Sequence, residues 1–368
     1  MKYSSKKYRL VFILLPVVFF MLLVAARETT APLPAKGVYI LSYPENFGSR
    51  VYISAQNPLT REGVYLGRML FYDPLLSADN TISCASCHRQ ELAFTDGLKL
   101  SHGINGVLAE RNAMSLANLL WVNNFFWDGR VKTLETQAVI PAANPHEMNQ
   151  PLEIAALKLA RVKKYPALFA YVFGNDSITA GRISMALAQF ERTLISANSN
   201  YDKYLRNEYT PTASERNGIQ LFNTIPNPEK GIRGANCGRC HGTAKTMIEL
   251  FHNNGLDSLP KDIGRQQLTG NEADHGRFRV PTLRNITLTA PYMHDGRFNT
   301  LEEVVNHYNE HVINSDILSP QLQNVSNTID GKTLALTPQE QKDLISFLDM
   351  LTDKDFVSDP RFSNPHKP

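Results

Sequence analysis

Cysteine is scarce in this chain, which has only four among 368 residues. Small secreted scaffolds held by disulfides use far more, and one repeated motif accounts for all four, so none is left for a disulfide. The motif is Cys-x-x-Cys-His, in which two thiols can bond to the vinyl groups of one haem while the histidine binds its iron. Its two copies are Cys84, Cys87 and His88, and Cys237, Cys240 and His241.

Two other uses of paired cysteines fit the sequence less well. A zinc ribbon can combine two Cys-x-x-Cys pairs, but here 149 residues separate the pairs, and a histidine follows each of them. A thioredoxin-like redox pair would accompany a βαβ pattern, and the chain shows no sustained alternation of apolar and polar residues. We therefore predict two covalently bound haem c groups.

The chain also lacks a large excess of either charge. Its net charge is +3, and four of its basic residues lie within the first 26 positions. Without them the net charge is about −1. A chain this close to neutrality gives no electrostatic reason to expect nucleic acid or an anionic membrane as a partner.

The N-terminus predicts export. Basic residues between Lys2 and Arg9 precede an uncharged apolar run over residues 10–26. This order predicts a signal peptide over residues 1–26, with an uncleaved membrane anchor as the alternative. Haem c is attached outside the cytoplasm, so the leader and the motifs both predict a periplasmic protein, held at the inner membrane if the leader is retained.

The chain repeats itself. Residues 128–135 match residues 295–302 at an offset of 167, and a Gly-x-x-Leu-Phe string precedes each haem motif, at Gly67 and at Gly218. The same offset relates Asn118 to its counterpart in the second half. A constant offset is hard to obtain by chance, so we predict a tandem duplication with one haem in each half.

Helical signals dominate the rest of the chain. Thr337-Pro338-Gln339-Glu340 combines a capping box with proline at the first helical position, and apolar residues recur behind it at helical spacing. Another helix is predicted from about Thr179 to Ser196. The sequence thus predicts a mostly α fold with two tandem cytochrome c-like domains, residues 57–197 and 198–352, each binding one c-type haem.

Four strings together resemble the bacterial di-haem cytochrome c peroxidase family, which includes a MauG-type branch. They are residues 66–77, 126–130, 144–148 and 279–285. The resemblance spans residues 57–352, nearly all of the chain beyond the leader. It implies that the N-terminal haem is the peroxidatic site and that the C-terminal haem accepts and stores electrons.

The resemblance also implies which side chains act. Glu147 would be the acid–base group beside the N-terminal haem, and Gln137 would orient the peroxide. Trp127, whose counterpart in the second half is His294, would relay electrons between the haems. His102 would be a removable ligand of the N-terminal iron, although an exposed histidine beside a glycine explains it equally well.

The sixth ligand of the C-terminal haem departs from the commonest family pattern. Tyr308 stands where most of these peroxidases have methionine, which resembles the MauG-type branch. A phenolate lowers the potential of a haem, whereas methionine raises it. Met293, Met247 and His307 stay open as rival ligands, and simple helix packing is the alternative role for Tyr308.

A calcium ion at the junction of the halves is a further implication of the resemblance. Asn112, Thr289 and Pro291 match the family's calcium position. One side-chain amide and two backbone carbonyls are the hard oxygen ligands that calcium accepts.

We therefore expect a di-haem peroxidase that reduces H2O2 to water with electrons from a small redox protein, a cytochrome c or a cupredoxin. One alternative is a MauG-like di-haem oxidase that modifies a partner protein through high-valent iron. Another is a non-catalytic di-haem electron-transfer protein, against which Gln137 and Glu147 argue because a carrier needs no acid–base pair. The resemblance also allows a homodimer.

Overall fold

The secondary structure is almost entirely helical in the computed structural model, which describes residues 33–242 and 245–367. The α-helices are α1 (Arg61–Phe71), α2 (Cys84–Cys87), α3 (Leu134–Ala143), α4 (Leu152–Ala160), α5 (Lys164–Phe173), α6 (Ala180–Glu191), α7 (Asn200–Leu205), α8 (Ala213–Asn223), α9 (Gly238–His241), α10 (Gln266–Thr269), α11 (Leu301–Asn306), α12 (Pro338–Asp349) and α13 (Lys354–Ser358). Two short strands, β1 (Phe251–His252) and β2 (Phe278–Arg279), pair antiparallel. The mostly α prediction is confirmed.

Shorter helical turns fill many of the connections. A π-helical turn, His307–His311, continues α11. The 3-10 helices are Glu45–Phe47, Pro74–Leu76, Gln90–Leu92, Ile104–Gly106, Leu119–Trp121, Pro228–Lys230, Glu272–Asp274 and Ile286–Leu288.

The predicted helix starts are present. Thr337 caps α12 through a reciprocal capping box with Glu340, and Thr179 caps α6. Helix α6 ends at Glu191, five residues before the predicted end at Ser196. The Asn118 side chain accepts from the Ser196 N–H at 2.9 Å and donates to its carbonyl at 3.1 Å, which holds the chain there outside helical geometry.

Each half is built on one crossed pair of helices, α1 with α6 and α8 with α12. The glycine of each Gly-x-x-Leu-Phe string lies at the crossing. A Cβ on Gly67 would overlap the Ala186 carbonyl, and one on Gly218 would overlap the Asp343 carbonyl. Both strings therefore keep glycine because the helices approach each other too closely for a side chain.

The buried apolar side chains form two groups. One gathers residues between 47 and 194 together with Met247, and the other gathers residues between 201 and 351. The tail after residue 352 returns to the first group, where Phe356 and Phe362 are buried. Asp353 fixes this return, because its Oδ2 accepts from the N–H groups of Ala197 and Asn198.

The predicted leader, residues 1–26, lies outside the described residues. Among the residues that are described, no helix is long and apolar enough to cross a membrane.

Candidate functional site

The first Cys-x-x-Cys-His motif presents its histidine in the form that can bind a metal. Cys84 and Cys87 lie on α2, and His88 follows directly. The His88 Nδ1 lies 2.8 Å from the Phe94 carbonyl oxygen. A carbonyl only accepts, so Nδ1 donates and Nε2 keeps its lone pair for a ligand bond. Burial lowers the pKa of His88, which favours the neutral imidazole.

The second motif repeats this arrangement. Cys237 precedes α9, which carries Cys240 and His241. The His241 Nδ1 lies 3.2 Å from the Pro281 carbonyl oxygen, so its Nε2 is free in the same tautomer. Burial lowers the pKa of His241 to about 4. Both motifs therefore offer two thiols and one neutral, oriented imidazole, which is the donor set that haem c requires.

A large cavity opens beside the second motif. Its volume is about 1090 Å³, and its walls include Cys237, Cys240 and His241 from the second half and Trp127 from the first. Cofactor pockets commonly measure roughly 300–1,000 Å³. The cavity is therefore large enough for a haem, and it extends to the contact between the halves.

Glu147 lies near the first motif. Burial is the main cause that raises the pKa of the Cys84 and Cys87 thiols, and the charge of Glu147 adds to it at both. The Glu147 Oε1 accepts a hydrogen bond from Asn144 Nδ2 at 2.8 Å. Burial also raises the pKa of Glu147, while the bond from Asn144 opposes that rise. The carboxyl is thus partly desolvated and held in place beside the first motif.

Gln137 lies on α3, the helix that leads to Glu147. After α3 ends, the loop folds back, and the N–H groups of Met148 and Gln150 donate to carbonyls of the last helical turn. The side chain of Gln137 is half-buried. This fold-back carries Glu147 toward the helix of Gln137, and their pairing at the first haem stays a prediction.

His102 lies on a loop that packs against the Glu147 segment. The Ile104 N–H donates to the Glu147 carbonyl at 2.9 Å, and a Cβ on Gly103 would overlap the His146 carbonyl. The side chain of His102 itself is exposed. The loop is therefore close to the first site, and the proposed iron ligation by His102 stays a prediction.

Trp127 lies at the contact between the halves. Its Nε1 donates to the Asn112 carbonyl at 2.9 Å, and its own carbonyl accepts from the Arg279 N–H at 2.6 Å. Its ring meets the ring of His294 edge to face, with centroids 6.4 Å apart. The tryptophan is thus held from both halves on the wall of the cavity.

Tyr308 and Met293 share one hydrogen-bond donor. The Asn254 Nδ2 lies 3.2 Å from the Tyr308 hydroxyl and 3.5 Å from the Met293 Sδ. Both side chains line the cavity that holds the second motif. Burial raises the pKa of Tyr308 to about 12, and the bond from Asn254 opposes this rise. Two of the rival ligands therefore lie close together on the cavity wall.

The other two rivals are placed differently. The His307 Nε2 lies 3.0 Å from the Asn254 carbonyl oxygen and must donate to it, so that nitrogen is not free for iron. Met247 is buried in the apolar group of the first half and also reaches the cavity wall. Tyr308 lies in the π-helical turn, and such turns occur often at functional sites.

The three predicted calcium ligands line the same cavity. Asn112, Thr289 and Pro291 are all on its wall. The Asn112 Nδ2 donates to the Leu98 carbonyl at 2.9 Å, which leaves the amide oxygen as the atom that a cation would use. No three His, Cys, Asp or Glu side chains cluster as a metal site in the described part of the chain, and the predicted site uses other donors.

Sequence reasoning missed two side chains. Asn144 belongs to a string that carries the family resemblance, and its spacing of three residues before Glu147 could have identified it. Asn254 lies in a loop with no recognisable motif, and only the folded chain shows that it contacts Tyr308 and Met293.

Two attachment motifs in a duplicated helical chain define a di-haem protein of the c type. The family model described as di-haem cytochrome c peroxidase matches residues 61–210. The methylamine utilization protein MauG of Methylophilus methylotrophus is 35% identical over 298 residues, 80% of this chain and 84% of that protein. The cytochrome c551 peroxidase of Nitrosomonas europaea is 39% identical over 258 residues, 69% of this chain and 74% of that protein.

A solved structure agrees with these relatives. It is that of a MauG-like protein associated with microbial copper homeostasis, and it is 34% identical to this chain with a TM-score of 0.79. The match covers 89% of this chain and 99% of that one. This chain belongs to the di-haem cytochrome c peroxidase family.

Proposed function

We propose that this protein is a periplasmic di-haem peroxidase that reduces H2O2 to water with electrons from a small redox protein. One observation carries the proposal: Glu147, partly desolvated and hydrogen-bonded to Asn144, lies near enough to the Cys84–His88 motif for its charge to act on both thiols. A non-catalytic electron carrier has no use for such a carboxyl. Relatives named cytochrome c peroxidase support the reaction.

The chain's own residues divide the chemistry. Haem c, when bound at the first motif, supplies a redox-active iron on which peroxide can be reduced. Glu147 takes a proton from the peroxide and returns it to the departing oxygen, and Gln137 orients the substrate. A positioned acid–base group of this kind contributes about 10²–10⁴-fold to a rate.

The second half supplies electrons. Residues 57–197 and 198–352 form two cytochrome c-like domains. A haem c held by Cys237, Cys240 and His241 would supply the redox centre at which single electrons enter from a cytochrome c or a cupredoxin. Trp127 relays them to the first haem. Its bonds to Asn112 and Arg279 support this role because they hold the ring between the halves.

Several finer assignments accompany this proposal. A calcium ion bound by Asn112, Thr289 and Pro291 stabilises the junction of the halves, and His102 gates the first haem. Residues 1–26 direct export, as a cleaved signal or an inner-membrane anchor. The protein functions alone or as a homodimer.

Tyr308 favours a second candidate, a MauG-like oxidase that modifies a partner protein. Its hydroxyl is buried, and Tyr308 lines the same cavity as Cys237 and Cys240. A phenolate ligand stabilises ferric iron, which suits an enzyme that reacts with peroxide without prior reduction. The 35% identical relatives named MauG support this candidate.

Steady-state turnover tests the proposal. The purified protein should consume H2O2 in proportion to oxidised cytochrome c, after mass spectrometry has shown two covalent haems. Glu147→Gln should lose about 10²–10⁴-fold of this activity while it keeps both haems. Glu153→Gln, an exposed glutamate on α4, is the matched control and should keep full activity.

The other outcomes discriminate the candidates. A protein with two haems and no turnover would be an electron carrier. H2O2-dependent modification of a partner protein's side chains, without turnover of reduced cytochrome c or cupredoxin, would favour the MauG-like oxidase.

A further inference from the structure

Arg279 is a buried cation without a carboxylate partner. Only 5% of its surface is exposed. Its side chain donates two long hydrogen bonds, from Nε to the Phe126 carbonyl at 3.3 Å and from Nη2 to the Met114 Sδ at 3.4 Å. Neither acceptor carries a charge. Within the described ranges, no acidic side chain lies within ion-pair distance of this guanidinium.

Other buried arginines of the chain are paired. Arg284 forms an ion pair with Asp202, and Arg192 forms one with Glu135. Burying an ion is costly unless an opposite charge compensates it. Arg279 is therefore the exception among these arginines, and its charge requires an anion that the polypeptide does not supply.

Nearby acidic residues do not fill this role. Glu249 is the one whose charge acts on Arg279, and burial outweighs its effect, so the pKa of Arg279 falls to about 10. The Glu249 Oε1 instead accepts from the backbone N–H groups of Asn123 and Asn124, at 2.8 and 2.9 Å. That carboxylate is thus engaged at the loop before Trp127.

The cavity beside the second motif is where an anion could reach Arg279. Arg279 lines the same cavity as Cys237, Cys240 and His241. A haem c attached there would bring two propionate carboxylates into the cavity that Arg279 lines. We propose that Arg279 is the counter-ion of a propionate of the C-terminal haem. This inference rests on the proposed second haem.

The two halves carry different charges at this position, so the two haems would lie in different electrostatic environments. Arg279 lies 167 residues after Asn112, so the equivalent position of the first half carries a neutral amide. A fixed positive charge favours the ferrous over the ferric state because reduction adds a negative charge. Arg279 therefore raises the potential of the C-terminal haem and opposes the effect of a phenolate from Tyr308.

Redox titration followed by visible spectra tests this assignment. Arg279→Gln should lower the midpoint potential of the C-terminal haem at a pH where free carboxylates are ionised, and the N-terminal haem should change less. Arg279→Lys, which keeps the charge, should retain most of the wild-type potential. Arg216→Gln, an exposed arginine on α8 of the same half, should leave both potentials unchanged.

A second readout applies if Arg279→Gln binds its haems poorly. Arg279→Lys should shift the propionate bending band in the resonance Raman spectrum, because lysine cannot reproduce the bidentate contact. Two loaded haems with unchanged potentials in Arg279→Gln, or an unchanged bending band in Arg279→Lys, would overturn the assignment. Wild-type protein with fewer than two haems would instead contradict the proposed function.

Discussion

Trp127 and His294 occupy equivalent positions of the two halves, and their rings meet edge to face with centroids 6.4 Å apart. The backbone carbonyl of each residue accepts a hydrogen bond from the opposite half. The Asn112 N–H donates to the His294 carbonyl at 2.8 Å, and the Arg279 N–H donates to the Trp127 carbonyl at 2.6 Å. Asn112 and Arg279 are also 167 residues apart. The duplicated segments therefore pack about an approximate two-fold axis, and Trp127 lies beside it.

Replacement of this tryptophan should slow transfer between the halves. Trp127→Phe keeps an aromatic ring but removes the Nε1 bond to Asn112 and makes the ring harder to oxidise. We expect both haems to load normally while electrons pass more slowly from the C-terminal to the N-terminal haem. Stopped-flow spectra of protein reduced at one haem and mixed with H2O2 measure this step. An unchanged transfer rate would leave Trp127 a packing residue.

Asn144 should control the pH profile through Glu147. Burial raises the pKa of Glu147, and the Asn144 hydrogen bond favours the ionised form. A carboxylate that must accept a proton is inactive once protonated, so kcat/KM should fall as pH drops through this raised pKa. Asn144→Ala should raise the pKa further and move the acidic limb to higher pH.

The pH dependence of kcat/KM for H2O2 measures this shift. Glu147→Gln should abolish the limb altogether. If the acidic limb of the kcat/KM profile does not shift in Asn144→Ala, a group other than Glu147 is the one that titrates.

The parts of the site that the sequence predicts are those that local patterns encode. The haem motifs, the Thr337 cap and the Gly-x-x-Leu-Phe strings are short strings whose chemistry depends on adjacent residues. The pairing of Asn254 with Tyr308 and the unpaired charge of Arg279 depend instead on contacts between distant segments. The return of the tail through Asp353 is of the same kind, because nothing in its local sequence shows which half it packs on.

The helix crossings make a prediction about stability. Gly218→Ala places a Cβ against the Asp343 carbonyl, so α8 and α12 must separate. Overpacking of this kind costs about 1–3 kcal/mol. Gly67→Ala should cost a similar amount at the crossing of α1 and α6.

Gly181→Ala is the matched control, because a Cβ there meets nothing within 4 Å. Its free energy of unfolding should be unchanged or higher by up to about 1 kcal/mol. Denaturant unfolding of the three haem-loaded variants measures the differences. Equal stability of all three would show that the helices can separate without cost.

Ligation of the C-terminal iron by Tyr308 and ligation by Met293 predict different spectra and potentials for that haem. If the phenolate binds it, the ferric protein should lack the near-infrared band of methionine-ligated haem. Tyr308→Phe should then change that haem's spectrum and raise its potential, because a negative charge on the iron is lost. Met293→Leu, which alters the other neighbour of Asn254, should change neither.

The two variants also separate the functional candidates. A phenolate-ligated haem stores an electron poorly, so the wild-type enzyme should react with H2O2 while fully ferric. If Met293→Leu instead removes a near-infrared band and turnover requires prior one-electron reduction, Tyr308 is a packing residue. Methionine then raises the potential of the storage haem, His102 becomes the expected gate of the first haem, and the peroxidase cycle proceeds through the half-reduced protein.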